Sequence, residues 1–417
     1  MFEYMRNMAK WSRITYCDTE RRIIRANSHH MTSTSTSRNF QDLNSLIHNM
    51  AGAKALLVQS IKSPPDIAII AKDIPTAVSG TAVVRVLCAG IGPGHGYLLS
   101  HEVPRFSFPV PCVYGSNAVG RIVSVGSDAV SLKAGQLVLV DNFTVARDDP
   151  DAEIIVGLMD GGSPKSRKLA EDAWRDGTWQ THTVVPLENT IALDEDLLLG
   201  KLGYEIEDLA ILQRLAVAYG GISNIDVKAG ETVIVGPATG QFSGAAVEVA
   251  AAAGARVIAL GRNEAKLAEL KAHIPRVETV VITGDVAVDA AAIQVFGLAD
   301  AFIDFTPHAV DKEPSHIESA ILSLRKRGRV ALMGGTSAKI SLPYLEMVTK
   351  SLEIKAKWMY TRPEIRRLVK MVETGLLKIG KGAGHQVLGR FKLEEWEKAF
   401  EEAPRHTGWG TNVIFTP

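Results

Sequence analysis

One stretch constrains the chain more than any other: Glu231-Thr-Val-Ile-Val-Gly236-Pro-Ala-Thr-Gly240-Gln-Phe-Ser-Gly244-Ala-Ala-Val247, a β-branched run, a glycine-rich turn and the start of an Ala-rich segment. An apolar run with no polar alternation suits a strand covered on both faces, and parallel strands of that kind need crossover helices. The pattern then repeats. Ala255-Arg-Val-Ile-Ala-Leu260 predicts a second strand and residues 263–273 a second helix, while residues 280–282, 301–305 and 329–333 predict strands between helical segments. This alternation is the sequence form of an α/β doubly wound parallel sheet. Its first turn suits nucleotide binding, because glycines let backbone N–H groups and a helix N-terminus approach a pyrophosphate. The candidate residues are Gly236, Ala238, Thr239, Gly240, Gln241 and Phe242; the spacing is not a literal G-x-G-x-x-G, and a turn without ligand is the alternative.

A chain of 417 residues exceeds the roughly 250 that one core supports, so two cores are expected. Residues 191–340 form the dinucleotide-type domain and residues 51–190 a β-rich, barrel-like domain, completed by residues 341–417. The barrel reading rests on short strands without intervening helices, among them Thr81-Ala-Val-Val-Arg-Val-Leu-Cys88 and Gln136-Leu-Val-Leu-Val140. Residues 147–178 are polar and irregular and read as a long insertion of the lid type. Residues 1–50 carry Met31-Thr-Ser-Thr-Ser-Thr-Ser-Arg38 and scattered arginines; the expectation is a disordered tail or a mis-started reading frame, with a targeting segment as the alternative.

Composition excludes several classes. Lys plus Arg and Asp plus Glu balance at 46 each, so no global field recruits nucleic acid. No apolar run reaches the roughly 18–20 residues of a membrane span. The cysteines, Cys17, Cys88 and Cys112, are too few for a disulfide framework and fit a reducing, cytoplasmic setting. The expected partner is a small-molecule substrate.

Other strand ends complete the crevice, since ligands of open α/β sheets bind at the carboxyl ends of strands. The second strand ends in Ala259-Leu-Gly261-Arg262-Asn263 with no acid for a ribose hydroxyl, whereas Arg262 suits a 2′-phosphate; NADP(H) is therefore the expected cofactor. Phe305, Gly334 and Gly335 close the series, the glycines offering close approach or forming ordinary turns.

The layout and the segments Ala89-Gly90-Ile-Gly92-Pro93-Gly94-His95-Gly96-Tyr97 and Tyr114-Gly115-Ser116-Asn117-Ala-Val-Gly120 resemble the medium-chain dehydrogenase/reductase superfamily over residues 53–417. The resemblance implies a GroES-like barrel domain plus a Rossmann domain. It also exposes departures. Zinc members carry a Cys where this chain has Gly92 and a Gly-His-Glu where it has Gly115-Ser116-Asn117, so no metal is expected. The likeness is to the zinc-free branch, similar to quinone oxidoreductases and enoyl reductases. That branch implies hydride transfer to a conjugated C=C of an enone, quinone or enoyl substrate. The alternatives are a ketone reductase or secondary alcohol dehydrogenase, including one of secondary metabolism, and a nucleotide-binding sensor without turnover. Tyr97 and His95 are the candidate acid–base residues, Asn117 and Trp179 the candidate pocket residues; for each, a packing role is the alternative. Relatives pair through the sheet edge, and residues 340–344 suit either such a homodimer or a core role.

Overall fold

The computed structural model describes residues 52–103, 106–308 and 312–417, so the expectation for residues 1–50 lies outside the described chain. Residues 53–417 form one compact unit. Its first part is built from β1 (Ala53–Ser60), β2 (Asp66–Lys72), β3 (Thr81–Gly90), β4 (Cys112–Val113), β5 (Asn117–Val125), β6 (Leu137–Asp141), β7 (Phe143–Val145), β8 (Glu153–Ile155), β9 (His182–Pro186) and β10 (Thr190–Ala192). Two short helices interrupt these strands, α1 (His95–Ser100) and α2 (Pro164–Asp172).

The strands use their two-residue side-chain period to serve two cores at once. In β6, Val138 and Val140 enter the barrel core with Tyr114 and Trp179, while Leu137 and Leu139 join the core of the helical part. In β5, Ala118 and Val119 divide in the same way. This is why β6 is buried at every position and reads as a continuous apolar run.

The second part is a six-stranded parallel sheet, β11 (Thr232–Gly236), β12 (Arg256–Gly261), β13 (Val277–Val281), β14 (Ala299–Asp304), β15 (Leu324–Leu332) and β16 (Glu353–Ala356). The spatial order is β13-β12-β11-β14-β15-β16. Val233 and Val235 face the layer holding α3 (Leu212–Asn224), α4 (Gln241–Ala252), α5 (Glu264–His273) and, farther along the chain, the helix of residues 362–373; Ile234 faces the opposite layer. That layer contains α6 (Val286–Gln294) and α7 (Ser315–Leu322). Strands are added outward in one direction from β11 to β13 and in the other from β14 to β16, so the order switches between the parallel neighbours β11 and β14, which opens a crevice at their carboxyl ends.

The sheet runs past residue 340, because α8 (Tyr344–Lys350) and the edge strand β16 belong to it. Glu-Ile-Lys-Ala at an edge carries no apolar run, which is why the sequence pattern stops short. The segment before it meets the core through the partly buried Ile340 and Met347, whereas Tyr344 and Leu345 are 77% and 72% exposed. After α9 (Arg362–Glu373) come β17 (Gln386–Phe391), α10 (Trp396–Glu402) and β18 (Thr411–Phe415), and β18 pairs antiparallel with β3.

Residues 147–178 are not an irregular lid. They contribute β8 and α2 and are tied to the barrel by Gly177 N–H on Val113 O (2.7 Å) and Val113 N–H on the Asp176 carboxylate (3.0 Å). A cavity of about 390 Å³ opens beside them, lined by Lys72, Trp174, Asp176, Gln180 and His182 and none of the crevice residues. No helix among the described residues is long and apolar enough to cross a membrane.

Candidate active site

The parallel topology gathers the cofactor candidates at one end of the sheet. Gly236 ends β11, Arg262 follows β12, Phe305 follows β14, and Gly334 and Gly335 follow β15. Phe305 N–H donates to Gly236 O (2.9 Å) and Gly335 N–H to Thr306 O (2.8 Å), so the strand ends form one rim. Ala238 is fully buried with its N–H on Leu260 O (2.7 Å), which pins the turn between β11 and α4. The third glycine, Gly244, is a packing residue: a Cβ there would sit 2.4 Å from the Trp409 ring.

The chain that follows α10 closes over this turn. Trp409 N–H donates to Thr239 O (3.1 Å), and the Gln241 amide donates to His406 O (2.8 Å) and Thr411 O (3.2 Å). Gln241 is thus a strut, while Phe242 is 43% exposed on the first turn of α4. Arg262 is exposed and makes no ion pair among the described residues; Lys266, one turn into α5, is exposed as well. The turn, its helix N-terminus and this free cation fit a dinucleotide.

On the barrel side the candidate with the most defined geometry is His95. Its Nδ1 accepts the Gly92 N–H (3.1 Å), which assigns the proton to Nε2, and Nε2 has no partner among the described residues. Tyr114 and Trp179 flank the ring at 5.3 and 5.4 Å between centroids. Burial, and secondarily the Arg214 charge, depress its pKa to about 4. The imidazole is therefore neutral at pH 7, a donor through Nε2 rather than an acid reserve. It lies over Gly92: a Cβ on that residue would sit 2.9 Å from Nε2.

The other barrel-side candidates occupy different places. Tyr97 is 61% exposed and stacks on His101 at 4.3 Å, because two residues of helix turn it away from the His95 side. Trp179 does not line a pocket; it is fully buried, donates Nε1–H to Gly90 O (3.3 Å) and backs His95. Asn117 is buried with its amide on Ala210 O (3.4 Å), bracing the barrel against the segment that leads into α3.

Sequence reasoning missed the polar residues embedded in α3. Gln213 donates to the Asn142 side chain (2.6 Å), and next to it Tyr360 donates to Asp141 (2.7 Å), whose carboxyl is pushed up to about 6 by burial. Arg214 is 6% exposed, with its guanidinium on Thr411 O (2.9 Å) and Asn412 Oδ1 (3.1 Å). The available signal was Gln213-Arg214 inside an otherwise apolar helical run, since charged residues are almost never fully buried without a purpose.

The metal test fails on donor chemistry. The marked positions hold Gly92, Ser116 and Asn117, and among the described residues no group of three or more His, Cys, Asp or Glu is placed to hold a metal ion. Cys88 and Cys112 are buried in β3 and β4, where burial pushes both thiols up to about 12, and neither belongs to such a group.

Comparison with known proteins supplies the kinship. Residues 78–195 match the model of the alcohol dehydrogenase GroES-like domain, and residues 243–374 that of the zinc-binding dehydrogenase family. An L-arabinitol 4-dehydrogenase of Aspergillus oryzae is 27% identical over 309 residues, 70% of this chain and 74% of that protein. An L-threonine 3-dehydrogenase of Ruegeria pomeroyi is 25% identical over 304 residues, 72% of this chain and 81% of its own length. A solved NAD-dependent alcohol dehydrogenase shares the fold with a TM-score of 0.67 at 20% identity, covering 87% of this chain and 99% of that one.

Proposed function

Because the chain belongs to the medium-chain dehydrogenase/reductase superfamily, a family of nicotinamide-dinucleotide-dependent oxidoreductases, we propose that it interconverts a ketone and a secondary alcohol with NADP(H) and without zinc. The kinship with polyol and alcohol dehydrogenases moves the reading away from the conjugated C=C first expected from the sequence. His95 carries the proposal: a neutral imidazole, oriented by Gly92, offering an unpartnered Nε2–H beside the position where zinc relatives hold a metal ligand.

A nicotinamide dinucleotide, when bound at this rim, would supply or accept the hydride at the carbinol carbon. His95 Nε2–H donates to the substrate oxygen and stabilises the charge that grows there in reduction. Preorganised donors of this kind contribute on the order of 10²–10³ in rate. With its pKa near 4, His95 does not itself supply the proton at neutral pH; solvent delivers it to the alkoxide. Gly236, Ala238, Thr239, Gly240 and the N-terminus of α4 would hold the pyrophosphate, and Arg262 with Lys266 the 2′-phosphate, which supports NADP(H). Exposure of Tyr344, Leu345 and Val348 beside the edge strand supports pairing of two copies, measurable by sedimentation.

The test uses NADPH deuterated at nicotinamide C4 on the transferred face with ketones and enones side by side. Deuterium on the carbinol carbon is expected. Deuterium at the β-carbon of an enone, with ketones inert, returns the chain to the ene-reductase reading, and tight NADPH binding without any transfer makes it a sensor. Activity unaffected by chelators, with no zinc in elemental analysis of the active protein, is expected alongside.

A further inference from the structure

A charge buried without a countercharge costs several kcal/mol, so proteins pair it or reserve it for a ligand. Arg214 stands in that position. It is 6% exposed in the core of α3, and both groups it bonds, the Thr411 carbonyl and the Asn412 amide oxygen, are neutral. No carboxylate among the described residues pairs with it, and burial alone accounts for its depressed pKa of about 10. A guanidinium has five N–H donors, and the two bonds above leave others available.

Its surroundings point to the crevice from two sides. Thr411 O, which accepts from Arg214, also accepts from the Gln241 amide, and Gln241 is the first residue of α4. On the barrel side Asn412, which accepts from Arg214, is followed by Val413, whose carbonyl accepts the Ile91 N–H (2.8 Å) one residue before Gly92. Arg214 therefore holds the strand end that joins the start of α4 to the Gly92 turn.

We propose that Arg214 is a specificity-determining residue that receives an oxyanion of the ligand bound in the crevice. Two groups carry that chemistry: a carboxylate on the substrate, which would make the substrates hydroxy or keto acids, and the pyrophosphate of the dinucleotide. The inference rests on the dinucleotide-dependent reading above, and inorganic pyrophosphate provides a probe independent of it.

The experiment compares the full chain with Arg214→Met and Arg214→Lys, with thermal melts to show that each variant is folded. Four titrations are read: inorganic pyrophosphate, NADPH, adenosine 2′-monophosphate, and a keto acid against its methyl ester in steady-state reduction. A loss of about tenfold or more is expected in Arg214→Met for any ligand it contacts, with partial recovery in Arg214→Lys, since tenfold corresponds to about 1.4 kcal/mol. Weaker NADPH and pyrophosphate binding with unchanged adenosine 2′-monophosphate binding assigns the pyrophosphate. Unchanged NADPH binding with a raised KM for the keto acid alone assigns the carboxylate. Unchanged affinities in every arm for folded variants overturn the proposal. If the native chain binds neither NADPH nor NADH, the dinucleotide reading fails, and pyrophosphate binding that Arg214→Met abolishes still upholds the oxyanion site; absence of that binding as well overturns it.

Discussion

Gly92→Ala is the perturbation that bears most directly on the site. The added Cβ would sit 2.9 Å from His95 Nε2, 3.1 Å from Cδ2 and 3.3 Å from Cε1. The ring has little room to yield, since the fully buried Tyr114 and Trp179 flank it. Relief requires rotating or lifting the imidazole, which breaks the 3.1 Å bond from Gly92 N–H to Nδ1. A lost hydrogen bond of about 1 kcal/mol together with overpacking of roughly 1–3 kcal/mol lowers stability by about 2–4 kcal/mol. The effect on turnover is larger in proportion. A donor no longer aimed at the growing alkoxide lowers kcat by about 100-fold, with KM nearly unchanged because the interaction belongs to the transition state. Stopped-flow measurement of ketone reduction reads the rate, and NMR titration of the His95 ring reads its position. In the native protein the ring titrates at about 4, and once displaced from burial it moves toward the ordinary value near 6.5. A variant that keeps native kcat and a native titration would refute the assignment of His95.

The remaining predictions concern cofactor choice, pH and the aromatic backing. Arg262→Ala is expected to lower the NADPH to NADH ratio of kcat/KM by about tenfold or more if Arg262, which follows β12 and makes no ion pair among the described residues, has its proposed 2′-phosphate role; an unchanged ratio removes it from that role. Asp141 has its folded pKa raised from 3.8 to about 6, so its neutral form is favoured and its contribution to stability is greatest below pH 4 and lost as pH rises through 6. Asp141→Asn keeps the acceptor for Tyr360 and is expected to raise the unfolding free energy measured by urea titration at pH 8 by up to about 3 kcal/mol, and not at pH 4. His95 works in the opposite sense: with its folded pKa depressed, its stability term is intact above pH 6.5 and lost as pH falls toward 4, so native-protein and Asp141→Asn curves diverge only on the alkaline side. Trp179→Ala empties the space behind His95 and costs about 3–5 kcal/mol, seen as a fall in melting temperature, with kcat falling as the imidazole loses its support.

By itself the sequence determined the parts that depend on short-range pattern. The apolar run before Gly236 and its repeats set a parallel sheet, because a strand covered on both faces has no polar alternation to show. The same run and the glycines after it located the rim of strand ends proposed for the cofactor, since strand ends of one parallel sheet fall on one side whatever the loops do. The resemblance of residues 89–97 and 114–120 to the superfamily's signatures was enough to mark Gly92, Ser116 and Asn117 as standing where it implies zinc-ligand donors. The edge strand β16 escaped because Glu-Ile-Lys-Ala has no such run, and residues 147–178 looked like a lid because their anchors, Asp176 on Val113 and Gly177 on Val113, join segments more than sixty residues apart. Only the folded chain could show where Tyr97, His95, Trp179 and Asn117 lie and what surrounds each. Whether a side chain meets substrate depends on which way one short helix turns and on which neighbours bury its ring, and neither is encoded in spacing. Arg214 makes the same point: its letter is visible in the sequence, but the missing countercharge is a property of everything that packs around it.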